Sequence, residues 1–135
     1  MIIVHTDGGA RGNPGPAAIG IVIESLHTGK RTLKKYLGIT TNNVAEYTAV
    51  LEALKSIIEE YKGGEKDEIH FFLDSQLVER QLSGVYKIKD PYLNRLAEEI
   101  QKNIRKWGKD VTFTYVPREQ NTEADALVNA ILDNR

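Results

Sequence analysis

The chain has 135 residues, 41% of them apolar, with 18 basic against 19 acidic side chains and a formal net charge of -1. That length suits a single domain, residues 1–135, around one hydrophobic core. The charge balance argues against a protein that holds nucleic acid by bulk positive charge, and no apolar run reaches the roughly 20 residues of a membrane helix. With no cysteine there is neither a disulfide scaffold nor a thiolate metal site. No secretory signal is visible, so a cytoplasmic monomer is the expectation. Charge is uneven locally: Lys30, Arg31, Lys34 and Lys35 occur in a stretch from Ser25 to Ala45 that holds no acid.

Residues 1–6, Met-Ile-Ile-Val-His-Thr, read as a strand because β-branched residues dominate them. Asp7 stands where that strand meets the glycine-rich stretch Gly8-Gly9-Ala10-Arg11-Gly12-Asn13-Pro14-Gly15-Pro16, a turn whose backbone can approach a ligand closely. Residues 17–26 predict a second strand, 27–30 a turn and 31–37 a third strand, whose lysines mark it as a sheet edge. The period changes at Val44. Val44, Tyr47, Val50, Leu51, Leu54, Ile57, Ile58 and Tyr61 recur at helical spacing, with Asn43 as cap, Glu46 completing a capping box, and Gly63-Gly64 ending the helix. A short apolar strand at 68–73 closes on Asp74. Ser75 caps a short helix over 75–82, and residues 84–89 form an exposed connection. Pro91 opens a helix over 91–107, Val111 to Val116 alternates as the last strand, and a final helix runs over 122–132 with Thr122 as its cap.

The order β-β-β-α-β-α-α-β-α implies an α/β fold, one five-stranded mixed sheet flanked by helices. Helical crossovers make the first, fourth and fifth strands parallel, whereas the hairpin-linked second strand runs the other way. Asp7 and Asp74 then sit at the same ends of two adjacent parallel strands, where ligand sites collect. Glu46 and Asp125 lie in the first turns of helices that begin near that edge. Acids there also serve as ordinary helix caps, but Glu46, next to Tyr47 and four residues before Val50, turns toward the protein interior. Four converging carboxylates repel one another, and no lysine or arginine stands where it could pair with them all. A divalent cation is the economical partner. All-oxygen donors suit Mg2+ or Mn2+, and two such ions about 4 Å apart are the standard arrangement for in-line attack at a phosphodiester.

Four pieces in order resemble the ribonuclease H family, type 1: Thr6-Asp7-Gly8-Gly9-Ala10 with Gly12-Asn13-Pro14-Gly15-Pro16; Thr41-Asn42-Asn43-Val44-Ala45-Glu46; Asp74-Ser75-Gln76; and Asn121-Thr122-Glu123-Ala124-Asp125. The resemblance implies a ribonuclease H-like fold and hydrolysis of the RNA strand of RNA/DNA hybrids, leaving 5′-phosphate and 3′-hydroxyl ends. It makes Asp7, Glu46, Asp74 and Asp125 the catalytic metal ligands, for two Mg2+ or Mn2+ ions with substrate bound. It also implies that Gly8, Gly9, Arg11, Asn13, Asn43 and Gln76 follow the minor groove of the hybrid, where amides answer 2′-hydroxyls. Thr41 and Asn13 would hold a phosphate of the DNA strand.

The chain departs from that pattern twice. Many relatives carry a long basic insertion after the short helix, where this chain offers only Tyr86, Lys87 and Lys89. Many also carry a histidine in the loop before the last helix, where this chain has Pro117-Arg118-Glu119-Gln120. Arg118 cannot act as a base, but its guanidinium can hold a phosphate or steer the leaving group. A structure-selective DNA nuclease of the same fold and a non-catalytic hybrid-binding module are the alternatives; the short chain argues against the first, and the complete carboxylate set against the second.

Overall fold

The computed structural model describes residues 1–62, 64 and 66–135. Five strands, β1 (Ile2–Ala10), β2 (Gly15–Ser25), β3 (Gly29–Thr40), β4 (Ile69–Leu73) and β5 (Val111–Tyr115), form one sheet in the order β3-β2-β1-β4-β5. The helices are α1 (Asn42–Glu60), α2 (Gln76–Leu82), α3 (Pro91–Trp107) and α4 (Thr122–Leu132), with a 3₁₀ turn over Arg118–Gln120. β1, β4 and β5 are parallel, and β2 runs antiparallel between β1 and the edge strand β3. This is the α/β arrangement the element order implies.

Alternation sorts the side chains. Ile2 and Val4 of β1, Ile19, Ile21 and Ile23 of β2, and Ile69, Phe71 and Leu73 of β4 join the core beneath α1 and α3. There they meet Tyr47, Val50, Leu54 and Ile57 of α1 and Ile100 and Trp107 of α3. On the opposite face α4 packs Val128 and Leu132 over Ala18. Close approach of α4 to the sheet depends on Gly20, where a Cβ would stand 2.3 Å from the Ala124 carbonyl oxygen.

Several boundaries differ from the sequence reading. β1 runs on to Ala10 and β2 starts at Gly15, because hairpin pairing from Asp7–Gly20 to Ala10–Ala17 absorbs most of the glycine-rich stretch. Asp7 therefore lies within a strand rather than at its end. β3 is longer than residues 31–37, since its whole length pairs with β2. The cap of α1 is Thr41, whose Oγ1 accepts from the Val44 N–H, and not Asn43. Asn121, not Thr122, occupies the cap position of α4, without a side-chain capping bond. α1 ends at Glu60, with Tyr61 as its C-cap, and of the expected Gly63-Gly64 terminator Gly63 lies outside the described residues. Ser75 caps α2 as its position predicts.

Candidate active site

The β1–β4 ladder ends at the pair Thr6–Leu73, so the next residues, Asp7 and Asp74, emerge side by side. Glu46 reaches them from α1, whose backbone lies against Gly8: a Cβ there would stand 2.4 Å from the Ala45 carbonyl. Glu46 is the fifth residue of α1, two residues deeper than a capping box requires. Its Oε1 accepts instead from the Gly8 N–H at 3.0 Å, across the strand–helix contact. Carboxylate oxygens of Asp7, Glu46 and Asp74 lie within 4.8 Å of one another. Asp125 comes from the first turn of α4 and lines the same open cavity, of about 480 Å³, without joining that tight set.

Close-set carboxylates in a buried place resist ionisation. Burial, and then the negative charge of Asp74, push the pKa of Asp7 up to about 7. Burial, followed by the charges of Asp7 and Asp74, likewise raises Glu46 well above the ordinary carboxylate range. Among the described residues no lysine or arginine forms an ion pair with any of the four. Like charges, all-oxygen donors and unrelieved repulsion fit a hard divalent cation.

A stability prediction follows from the sign of these shifts. A carboxyl whose folded pKa exceeds its unfolded value supports the fold fully only below the unfolded value. Its contribution is lost as pH rises through the folded pKa. For Asp7 that window runs from the ordinary aspartate value of 3.8 to about 7. The metal-free protein should lose on the order of 3–4 kcal/mol through this group between about pH 4 and pH 8. Magnesium should restore much of it. Urea unfolding at a series of pH values, in chelator and in Mg2+, measures both.

Of the residues expected to meet substrate, Gly8, Gly9, Arg11 and Asn43 line the cavity together with Arg118, whereas Asn13, Thr41 and Gln76 do not. Asn13 Oδ1 accepts from the Asn42 N–H at 3.0 Å, and Asn42 Oδ1 accepts from the Ala10 N–H at 2.8 Å. These two bonds stitch the start of α1 to the β1–β2 hairpin. His5 stacks on Phe72 with ring centroids 5.2 Å apart, and burial lowers its pKa. His70 of β4 lies beside Thr112 of β5 and Glu68.

Two asparagines escaped the sequence reading as site residues. Asn121, 1% exposed, donates from Nδ2 to the Thr6 carbonyl at 2.9 Å and to Asp74 Oδ2 at 3.3 Å. It ties β1, Asp74 and the start of α4 together through Nδ2, while its buried Oδ1 has no hydrogen-bond partner among the described residues. Asn129 Nδ2 donates to Asp125 Oδ2 at 3.2 Å. Nothing in the local sequence distinguishes a helical asparagine facing a carboxylate one turn earlier from one facing water. The i, i+4 spacing from Asp125 was the only available signal.

Comparison with known proteins agrees with this geometry. Residues 5–131 match the family described as "Reverse transcriptase-like". Ribonuclease HI of Halobacterium salinarum is 40% identical over 138 residues, covering 96% of this chain and 63% of that protein. A bifunctional protein of Mycobacterium tuberculosis is 37% identical over 134 residues, 98% of this chain but 35% of its own length. This chain thus spans about a third of the mycobacterial relative and less than two thirds of the halobacterial one. Among solved structures, LC11-RNase H1 in complex with an RNA/DNA hybrid superposes with a TM-score of 0.93 at 41% identity, covering 99% of this chain and 98% of that one. The structure of RNase H1 from Halobacterium salinarum gives 0.87 at 38% identity, with 99% and 98% covered. Agreement in sequence and in backbone superposition over almost the full length of these chains shows that this chain belongs to the type 1 ribonuclease H family.

Proposed function

We propose that the protein is an endoribonuclease that hydrolyses the RNA strand of RNA/DNA hybrids, leaving 5′-phosphate and 3′-hydroxyl ends. The observation that carries this reading is the cluster of Asp7, Glu46 and Asp74, whose oxygens lie within 4.8 Å of one another in an open cavity. Two Mg2+ or Mn2+ ions, held by these three and Asp125 with substrate bound, would supply Lewis-acid stabilisation of charge at the scissile phosphate. The chain's own part is to fix the ligands: the Gly8 N–H holds Glu46, and Asn121 holds Asp74.

The rim suits a hybrid. Backbone groups of Gly8 and Gly9 and the amide of Asn43 line the cavity, and such groups both donate to and accept from 2′-hydroxyls. Asn13 spends its amide oxygen on the Asn42 N–H, and Thr41 its lone pair on Val44. Both keep donors for a phosphate of the DNA strand, while Gln76, exposed at the start of α2, extends the amide track. Without the long basic insertion, the compact core of this variant carries more of the grip, and Tyr86, Lys87 and Lys89 contribute what remains. Matched RNA/DNA and DNA/DNA duplexes test the substrate class. Hydrolysis confined to the hybrid is expected. Faster cutting of all-DNA duplex would favour a structure-selective DNA nuclease, and Mg2+ binding without cleavage would favour a binding module.

Arg118 lies on the cavity wall in the 3₁₀ turn between β5 and α4. Its guanidinium, a permanent cation with a planar fork, is suited to a phosphate as charge develops there. Arg118→Ala should lower kcat about tenfold, equivalent to ~1.4 kcal/mol of transition-state stabilisation. Arg118→Lys should recover only part of it, having charge without the fork. Steady-state kinetics on a defined hybrid measure both. Alanine turnover within about twofold of the parent would make this arginine a bystander.

A further inference from the structure

Asp125 faces Asp7, whose like charge repels it, so a donor elsewhere must set its direction. It lies on α4 with Asn129, and Asp133 is the C-cap of that helix; the successive four-residue intervals place the three side chains on one face. Arg11, from the opening of the β1–β2 hairpin, meets that face. Its Nη2 donates to Asp133 Oδ1 at 2.8 Å and to Asn129 Oδ1 at 3.1 Å. Asn129 Nδ2 in turn donates to Asp125 Oδ2 at 3.2 Å.

An asparagine amide has one accepting end and one donating end. A guanidinium carries donors only, so it accepts no bond from Nδ2 and draws Oδ1 to itself. That leaves Nδ2 for Asp125. Were Arg11 absent, the amide could turn over and set its oxygen against the carboxylate, a repulsive pairing. Asp133 strengthens the arrangement by holding the guanidinium in place through an ion pair. Asp125 then has Oδ2 committed to Asn129 while its carboxylate faces Asp7.

From this geometry we infer that Arg11, Asn129 and Asp133 form an orientation lock for Asp125, and that Arg11 and Asn129 are positioning residues rather than substrate contacts. This rests on the proposed role of Asp125 in the hydrolytic site. It also reassigns Arg11, which the sequence places among the residues that follow the substrate. The alternative for Arg11 is a direct contact to a backbone phosphate, since it lines the cavity.

A double-mutant cycle separates the two. Arg11→Ala, Asn129→Ala and the double variant are assayed for kcat and KM on a defined hybrid, with the half-saturating Mg2+ concentration measured for each. The lock predicts that each single substitution lowers kcat about five- to tenfold, leaves KM within about twofold and raises half-saturating Mg2+ severalfold. The double variant should be no worse than Asn129→Ala, because both changes break one relay. Asn129→Asp adds charge beside Asp125 while keeping a partner for Arg11, and it should not rescue. A loss confined to KM for Arg11→Ala, independent of Asn129, would overturn the lock in favour of a phosphate contact. Strictly multiplicative losses would overturn it as well. Calorimetric titration of the proteins with Mn2+ alone gives a readout that needs no turnover. If the parent cleaves no hybrid, the proposed function fails. The lock then stands on whether both variants bind Mn2+ more weakly than the parent, and equal affinities overturn it.

Discussion

Replacing Asp7 by asparagine should abolish hydrolysis of a hybrid, lowering turnover at least about a thousandfold, or ~4 kcal/mol of transition-state stabilisation. The same substitution should make the metal-free protein more stable above about pH 7. Both effects have one cause. Asp7 is 7% exposed and stands against Asp74 and Glu46, so its charge is costly until a cation offsets it. An amide of the same shape removes the repulsion and, with it, the ligand. Kinetics in Mg2+ and urea unfolding in chelator at about pH 8 measure the two halves. An inactive but destabilised variant would mean that Asp7 serves the fold, and an active one would mean that the site lies elsewhere.

The second large effect is expected at Gly8, through packing alone. An alanine Cβ there would stand 2.4 Å from the carbonyl carbon and oxygen of Ala45 and 2.6 Å from the Glu46 nitrogen, all backbone atoms of α1. Helix backbone cannot step aside as a flexible side chain does, so α1 must shift away from β1. That movement breaks the Gly8–Glu46 bond and carries Glu46 out of the carboxylate cluster. Gly8→Ala should cost roughly 3 kcal/mol of stability, in the range of overpacked cores, and at least about tenfold in turnover. Gly9 is the internal control. Its added Cβ would meet only Val128 Cγ1, at an ordinary 3.7 Å, so Gly9→Ala should stay within about 1 kcal/mol of the parent. Denaturant unfolding of the pair, with kinetics on both, checks the contrast; equal costs at the two positions would refute it.

Element order, strand directions and the meeting of Asp7 with Asp74 were legible in the sequence because they follow from period and connectivity. Helices between β1 and β4, and between β4 and β5, force those strands parallel. Asp7 and Asp74, each one residue past the last β1–β4 pair, then emerge together. Glu46 was found for a partly mistaken reason. Its spacing from Asn43 imitates a capping box, yet Thr41 caps the helix and Glu46 answers a strand N–H instead. Local spacing cannot reveal a bond made across 38 positions of the chain.

The strand ends were misplaced for a related reason. Glycine-rich sequence normally signals a turn, but here Gly8 and Gly20 admit helix backbone close to a continuous ladder. The asparagines show the same limit in polar form. Asn121 and Asn129 look like a helix cap and a surface residue, and only the fold brings them to Asp74 and Asp125. Arg11 lines the cavity, and its bonds to Asn129 and Asp133 depend on α4 crossing back over the hairpin.

Metal-dependent cutting within the RNA strand is read out by mapping the products from an end-labelled RNA/DNA hybrid, with Mg2+ and with chelator. Internal cuts in RNA alone, 5′-phosphate and 3′-hydroxyl ends, an intact DNA strand and no products in chelator are expected. Fragments ending in a 2′,3′-cyclic phosphate, or cutting undiminished by chelator, would place the attack on the ribose hydroxyl and contradict it.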